Sequence, residues 1–493
     1  MAERRRDEPG ADVSDPEPPA PVSSPNGQQP CATQPAEERR SLASKLQAPF
    51  AAALVVASLV VMVTCGRASS GAEAPSRGEP GSGAQGAPLG SAVVAPSSAE
   101  FPQGNMGSAS AQPLGSAAPP GSAALELGDA GAAAAPGPLE HFHAALAALT
   151  SGERSAPVRV AWLGDSHTAA DFWTDSVRKQ MGARYGVGGP GFVYVGLSRY
   201  RHASLAIEVD GKWSQLPSQP ASSSPLKDPT LGLGGIRTAP VSADARVRLR
   251  LREGALKGQA RWSLWYRMPD SASRLGVSLG GDERRVTARR VGEVEQLQLS
   301  GPASAALTIA RRGGQPELFG LTVEGSEPGI VVDTLGINGA RVATALAWGR
   351  ESFVSALRAR APSLVVMAYG TNEAGANTPV ERYREHFRAL LERVREAAPE
   401  ASCALFGPTD WVRGGRTLPR IVEIDALERV VAQELGCAYF STFEAMGGEE
   451  SALRWSREVP PLAAQDLIHL TPKGYGRLGE RAFELLAPAG SQR

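Results

Sequence analysis

The chain has 493 residues, of which 55 are Gly and 39 are Pro. Those two types are about a fifth of the sequence against a usual share of about 12%, so part of the length is not packed core. Lys and Arg total 51 and Asp and Glu total 51, a zero balance that gives no electrostatic footprint for nucleic acid. Four Cys with none at metal-finger spacing exclude a disulfide scaffold and a structural zinc site.

Residues 1–47 are rich in Pro, Glu, Asp, Arg and Ser and bury too little surface to offset chain entropy, which predicts a disordered tail. From Ala48 to Cys65 no charge occurs over eighteen residues, near the lower limit for a membrane-crossing helix. Arg39, Arg40 and Lys45 precede this run and only Arg67 and Arg77 follow closely. By the positive-inside rule the N-terminus is cytoplasmic and the rest of the chain is outside the inner membrane. A cleaved signal peptide is the rival reading, although its apolar region would begin unusually late. Thr64 and Met62 make a poor lipobox around Cys65. Residues 66–137 are dominated by Gly, Ala, Ser and Pro, the composition of a flexible linker reaching roughly 45 Å.

From Pro138 onward, apolar strands alternate with amphipathic helices, the pattern of an α/β parallel sheet. Strands are predicted at Arg159–Leu163, Ile330–Leu335, Ser363–Ala368, Ser402–Phe406 and Cys437–Phe440. Long helices are predicted over Pro379–Ala398 and Leu418–Leu435 from their apolar stripes. Thr378-Pro379 and Thr471-Pro472 mark helix starts. Residues 197–329 break this pattern with short alternating runs such as Arg246–Leu251 and Arg261–Tyr266, predicting an inserted all-β domain between the α/β segments 138–196 and 330–490. Trp213, Trp262, Trp265 and Tyr266 in this insert are either a sugar-stacking platform or core, and alternating strand positions favour core. Cys403 and Cys437 fall on neighbouring predicted strands, open to a disulfide or to two buried thiols.

Four short motifs carry chemistry. Gly164-Asp165-Ser166 closes the first strand where a helix of the form TAADFWTDSVRKQM is predicted to begin, placing the serine N–H and the helix dipole near an attacked carbonyl. Capping alone is the alternative reading of this motif, with Asp165 or Ser166 serving only as an N-cap. Asp466 and His469 lie three apart before the last helix, close enough for the carboxylate to orient one imidazole nitrogen while the other meets a hydroxyl. His141, His143, His202 and His386 have poorer settings. Gly339 and Asn372 follow the second and third strands, where a backbone N–H and a side-chain amide can hold an oxyanion. In open α/β sheets such strand-end loops converge on one crevice.

The order of GDS, Gly339, Gly370-Thr371-Asn372 and Asp466-x-x-His469 resembles the SGNH/GDSL hydrolases, an esterase superfamily with a flavodoxin-like three-layer α/β/α fold. The resemblance implies Ser166 as nucleophile, His469 as general base, Asp466 as its orienter, and an oxyanion hole from Ser166, Gly339 and Asn372. Two positions depart from the family pattern: His167 stands where Leu is usual, and Glu373 where Asp is usual. The strings GDSHTAADFWT, YGVGGPGF at Tyr185–Phe192 and LGINGAR at Leu335–Arg341, with the insert, resemble more narrowly the peptidoglycan O-acetylesterases of Gram-negative bacteria. Those carry a carbohydrate-module-like, jelly-roll-like β domain at the same place. The resemblance implies a serine esterase of the periplasmic envelope acting on acetylated polysaccharide, with MurNAc of peptidoglycan as substrate and neither cofactor nor metal. A polysaccharide O-acetyltransferase with the same catalytic set and a non-catalytic glycan-binding protein are the alternatives.

Overall fold

The computed structural model describes residues 137–487. The predicted tail 1–47, the apolar run 48–65 and the linker up to residue 136 lie outside the described residues. Among the described residues no helix is long and apolar enough to cross a membrane.

Five strands form the central parallel sheet: β1 (Val158–Gly164), β2 (Ile330–Gly336), β3 (Leu364–Ala368), β4 (Ser402–Phe406) and β5 (Ala438–Phe440). Their spatial order is β5-β4-β3-β1-β2, the flavodoxin-like order with a switch point between β1 and β3. Gly164 pairs in register with Gly336 on one side and Ala368 on the other, so the three strands end at one level. Val187–Gly189 adds a sixth parallel strand beside β2. The strands read as continuous apolar runs because both faces are covered. Successive side chains then alternate between two cores: Ala161, Leu163, Leu335, Val365 and Leu405 face one, while Val160, Trp162, Val332, Val366 and Phe406 face the other.

Helices α1 (Glu140–Ser151), α2 (Ser166–Ala169), α3 (Trp173–Tyr185), α4 (Val342–Ala347), α5 (Arg350–Arg360), α6 (Thr371–Gly375), α7 (Val380–Ala397), α8 (Pro419–Glu434), α9 (Thr442–Met446), α10 (Ser451–Ser456) and α11 (Pro472–Leu486) complete the three layers. Helix α7 buries Tyr383, Phe387, Leu390, Leu391 and Val394, a stripe at helical spacing that drives it onto the sheet. Helix α11 begins where the Thr471 hydroxyl accepts the Gly474 N–H at 3.2 Å, with Pro472 in its first turn. The single helix predicted after Ser166 is two helices. Asp171 adopts φ +50° and breaks the run between α2 and α3.

Between Gly191 and Gly325 the chain forms two antiparallel sheets. One contains Leu205–Asp210, Arg246–Leu251, Arg274–Leu279, Arg284–Val286 and Leu307–Gly313. The other contains Trp213–Leu216, Arg237–Pro240, Gln259–Arg267, Val294–Pro302 and Glu317–Gly325, with Gly191–Val193 paired to the last. Val247, Leu249 and Ile309 from the first sheet share a core with Trp262, Leu264 and Leu321 from the second, the alternation expected of strands with one solvated face. Trp262 and Tyr266 are buried in this core, while Trp213 and Trp265 are half-buried, so the four aromatic residues do not form one platform. A buried ionic cluster joins the sandwich to the central sheet: Glu324 accepts Arg159 at 2.7 Å and Arg261 at 2.8 Å, and also pairs with Arg360. Arg360 holds Asp333 of β2 at 2.6 Å. Removing one partner from such a buried network leaves an uncompensated charge.

Cys403 of β4 and Cys437 just before β5 form a disulfide with a Cα separation of 4.8 Å.

Candidate active site

The loop that carries Ser166 is built by sterics. A Cβ on Gly164 would lie 2.2 Å from the Thr168 Oγ1 and 2.8 Å from the Ala368 carbonyl oxygen, so only glycine lets β1 turn this tightly into α2. Asp165 is the N-cap, its Oδ1 accepting the His167 N–H at 3.0 Å. Ser166 is the first residue of α2, where its N–H has no intrahelical acceptor. Because α2 has only four residues, this local N–H, rather than the dipole of a long helix, is what the serine position offers a developing anion. The turn beyond α2 is locked by Asp171, whose Oδ1 accepts Thr174 at 2.7 Å, Thr334 at 2.8 Å and Arg178 at 3.1 Å.

The loop before α11 brings Asp466 and His469 to that serine. The Ser166 Oγ lies 2.9 Å from the His469 Nε2, and the His469 Nδ1 lies 2.8 Å from the Asp466 Oδ2. Asp466 Oδ1 accepts the N–H groups of Ile468 at 3.1 Å and His469 at 2.9 Å, closing a turn in which Leu467 adopts φ +56°. With Nδ1–H donating to the carboxylate, Nε2 is free to accept the serine hydroxyl proton. Burial pushes Asp466 up, but the His469 bonds and the Ile468 N–H more than offset this and hold it at about 2. Burial alone would lower His469. The hydrogen bond and charge of Asp466, with a contribution from Asp165, raise it above its ordinary value.

His167 sits behind this pair. Its Nδ1 is 2.9 Å from the Tyr475 hydroxyl and its Nε2 3.0 Å from the Thr409 hydroxyl. Burial and the neighbouring His469 lower it to about 3, so it is a neutral wall rather than a second base.

Gly339 lies in the turn after β2, and its N–H makes no backbone hydrogen bond among the described residues. Asn372 lies on α6. Its Nδ2 is 3.1 Å from the Asp165 Oδ2 and 3.0 Å from the Ala340 carbonyl oxygen, so the amide ties the Ser166 loop to the Gly339 loop. Both its N–H groups are occupied, and an oxyanion must share or displace one of these acceptors. Glu373 ties the start of α4 to the turn before α6, accepting Val342 N–H at 2.7 Å and Gly370 N–H at 3.1 Å. Burial raises Glu373 and Asp165 each to about 7. The structure therefore joins Ser166, His469 and Asp466 in one hydrogen-bonded line, and sets Asn372 and Gly339 on adjoining strand-end loops. Among the described residues no group of three or more His, Cys, Asp or Glu is placed to hold a metal ion.

Sequence reasoning misses the segment after β4. Thr409 bonds His167, the Trp411 ring lies 2.6 Å from where a Cβ on Gly375 of α6 would stand, and Val412 N–H donates to the Leu467 carbonyl at 3.1 Å. Thus residues 409–412 touch the Ser166 loop, the Asn372 helix and the Asp466–His469 loop. The signal for this segment is position alone: it is the carboxyl end of the fourth predicted strand, where ligands bind in such sheets.

Residues 309–477 match the model of the GDSL-like Lipase/Acylhydrolase family, a span that contains Gly339, Asn372, Asp466 and His469 but not Ser166. The chain is similar to a structure described as peptidoglycan O-acetylesterase in action: 26% identity, 70% of this chain and 94% of that one covered, TM-score 0.60. A family two carbohydrate esterase from Clostridium thermocellum aligns at 10% identity over 57% of this chain and 97% of that one, with TM-score 0.24. A mutant acetyl-xylooligosaccharide esterase from Geobacillus aligns at 17% identity over 34% of this chain and 76% of that one, with TM-score 0.27. No curated protein matches the chain. The chain is similar to the GDSL-like lipases/acylhydrolases over residues 309–477 and resembles a peptidoglycan O-acetylesterase over most of its length.

Proposed function

We propose that the protein removes O-acetyl groups from a cell-envelope polysaccharide, the MurNAc residues of peptidoglycan, by a two-step serine mechanism. The observation that carries this reading is the continuous line Asp466–His469–Ser166, with links of 2.8 and 2.9 Å, in a chain similar to a peptidoglycan O-acetylesterase. Ser166 Oγ attacks the acetyl carbonyl as His469 Nε2 takes its proton. The tetrahedral oxyanion is held by the N–H groups of Ser166 and Gly339 and by the Asn372 amide. Collapse breaks the bond to the sugar oxygen, which leaves with the proton from His469, and Ser166 carries the acetyl group. His469 then takes a proton from water, which attacks the acetyl-serine. Acetate leaves, and the proton returns to Ser166.

The side chains of His469 and Asp466 are 32% and 44% exposed, which supports a polymeric substrate entering an open crevice. In this reading residues 48–65 anchor the chain in the inner membrane and residues 66–137 carry the catalytic part into the periplasm. The Cys403–Cys437 disulfide supports an oxidising compartment. Incubation of the purified protein with O-acetylated peptidoglycan, beside Ser166→Ala, tests the reading through acetate release. Release by the wild type alone is expected. Turnover of a synthetic acetyl ester with no release from the polymer would overturn the peptidoglycan substrate.

A further inference from the structure

The loop after β4 continues from Trp411 into a hairpin, Val412–Arg413 paired with Arg416–Thr417. Gly414 and Gly415 at its tip have φ +61° and +83°, the left-handed pair that a tight two-residue turn requires. Its base is fixed: Asp410 accepts the Thr417 hydroxyl at 2.8 Å and Ala452 N–H at 2.9 Å, and Thr417 Oγ1 accepts Glu450 N–H at 2.6 Å. Its tip is exposed from Arg413 to Arg416.

Arg413 and Arg416 are register partners directly across this ribbon. Like charges so placed are destabilising, and neither guanidinium has an ion-pair or hydrogen-bond partner among the described residues. The Arg413 guanidinium lies 5.3 Å from the ring centroid of Trp411, which is itself half-buried. Trp411 packs on the helix carrying Asn372, and the next residue bonds the loop carrying His469. A rigid ribbon at the rim of the crevice thus presents two guanidinium groups without an anionic partner, beside an indole. Guanidinium forks match carboxylates bidentately, and an indole offers a broad, rigid apolar surface to a sugar ring.

We infer that Trp411, Arg413 and Arg416 form a subsite for a carboxylate-bearing saccharide, selecting anionic glycans as substrates of the Ser166 site. This rests on the esterase reading above and narrows it: the carboxylate belongs to the polymer and lies near the acetylated sugar.

The test compares wild type with the double variant Arg413→Gln, Arg416→Gln, using 4-nitrophenyl acetate as a neutral substrate. Inhibitors are muramic acid oligosaccharides freed of O-acetyl groups, and the same oligosaccharides with carboxyls reduced to alcohols. Turnover of the neutral ester should agree within about twofold, which shows that the variant is folded. The inhibition constant of the carboxylate form should rise at least about tenfold in the variant, as expected for loss of charge-assisted hydrogen bonds, while the reduced form should bind both proteins equally and weakly. Equal inhibition of both proteins by the carboxylate form, or equal binding of the two forms by wild type, would overturn the subsite and leave the esterase reading intact. If wild type fails to turn over the ester, the esterase reading fails, and calorimetric titration of the same saccharides into both proteins decides the subsite by the same tenfold criterion.

Discussion

The imidazoles of His167 and His469 lie 5.2 Å apart between ring centroids, yet their surroundings drive them in opposite directions. Burial lowers His167 to about 3, whereas Asp466 outweighs burial and raises His469. One neutral ring therefore backs a second ring poised to gain a proton from Ser166.

This asymmetry fixes the pH profile. In the proposed mechanism the base is neutral His469, and Asp466 favours its protonated form, so activity should fall as pH drops through a value raised from that of an ordinary histidine. In Asp466→Asn the acid limb of kcat/KM should move to lower pH, and kcat should fall by about three to four orders of magnitude because the tautomer is no longer fixed. An unmoved limb, measured on a synthetic acetyl ester, would contradict the pairing.

His167→Leu places at this position the residue usual in the family pattern, strands the Thr409 hydroxyl and removes one partner of the Tyr475 hydroxyl. An unpaired buried hydroxyl predicts a loss of about 1–3 kcal/mol in stability by denaturant unfolding. The acid limb should stay where it is in wild type, since the titrating ring is His469. A limb that disappears with His167 would show the assignment to be reversed.

For Asn372→Ala, loss of one oxyanion donor predicts a fall in kcat of about a hundredfold or more. The variant also frees the Asp165 carboxyl and the Ala340 carbonyl from a shared partner, so its thermal stability should be compared with wild type. Wild-type kcat in a folded variant would remove Asn372 from the oxyanion hole.

Replacing both Cys403 and Cys437 by Ser removes a link across a sequence separation of 34, and the chain-entropy model gives about 3–4 kcal/mol of lost stability. Denaturant unfolding with and without reductant measures it. Equal midpoints for wild type and the double variant under oxidising conditions would show that the bond contributes nothing.

Much of the site is legible in the sequence because its parts sit at strand ends, and strand ends are marked by the change from an apolar run to Gly, Asp, Asn and Ser. Ser166, Gly339 and Asn372 each follow such a run, and Asp466 and His469 are close enough in sequence to be read as a pair. The break at Asp171 is not legible, since its φ of +50° is held by Thr334, Arg178 and Ala203, which reach it from separate parts of the chain. The segment Thr409–Val412 escapes for the same reason: each of its ties to the site runs to a different loop. Alternation places the insert strands well, but the split between buried Trp262 and half-buried Trp265 depends on which sheet face meets its partner, and that is set by tertiary packing.

The proposed mechanism requires an acetyl group carried on Ser166. Rapid acid quench during turnover of an acetyl ester, followed by peptide mass mapping, measures it directly. One added acetyl group is expected on the peptide containing Ser166, absent in Ser166→Ala and strongly reduced in His469→Ala. Turnover with that peptide unmodified, or with the acetyl group on another residue, would contradict it.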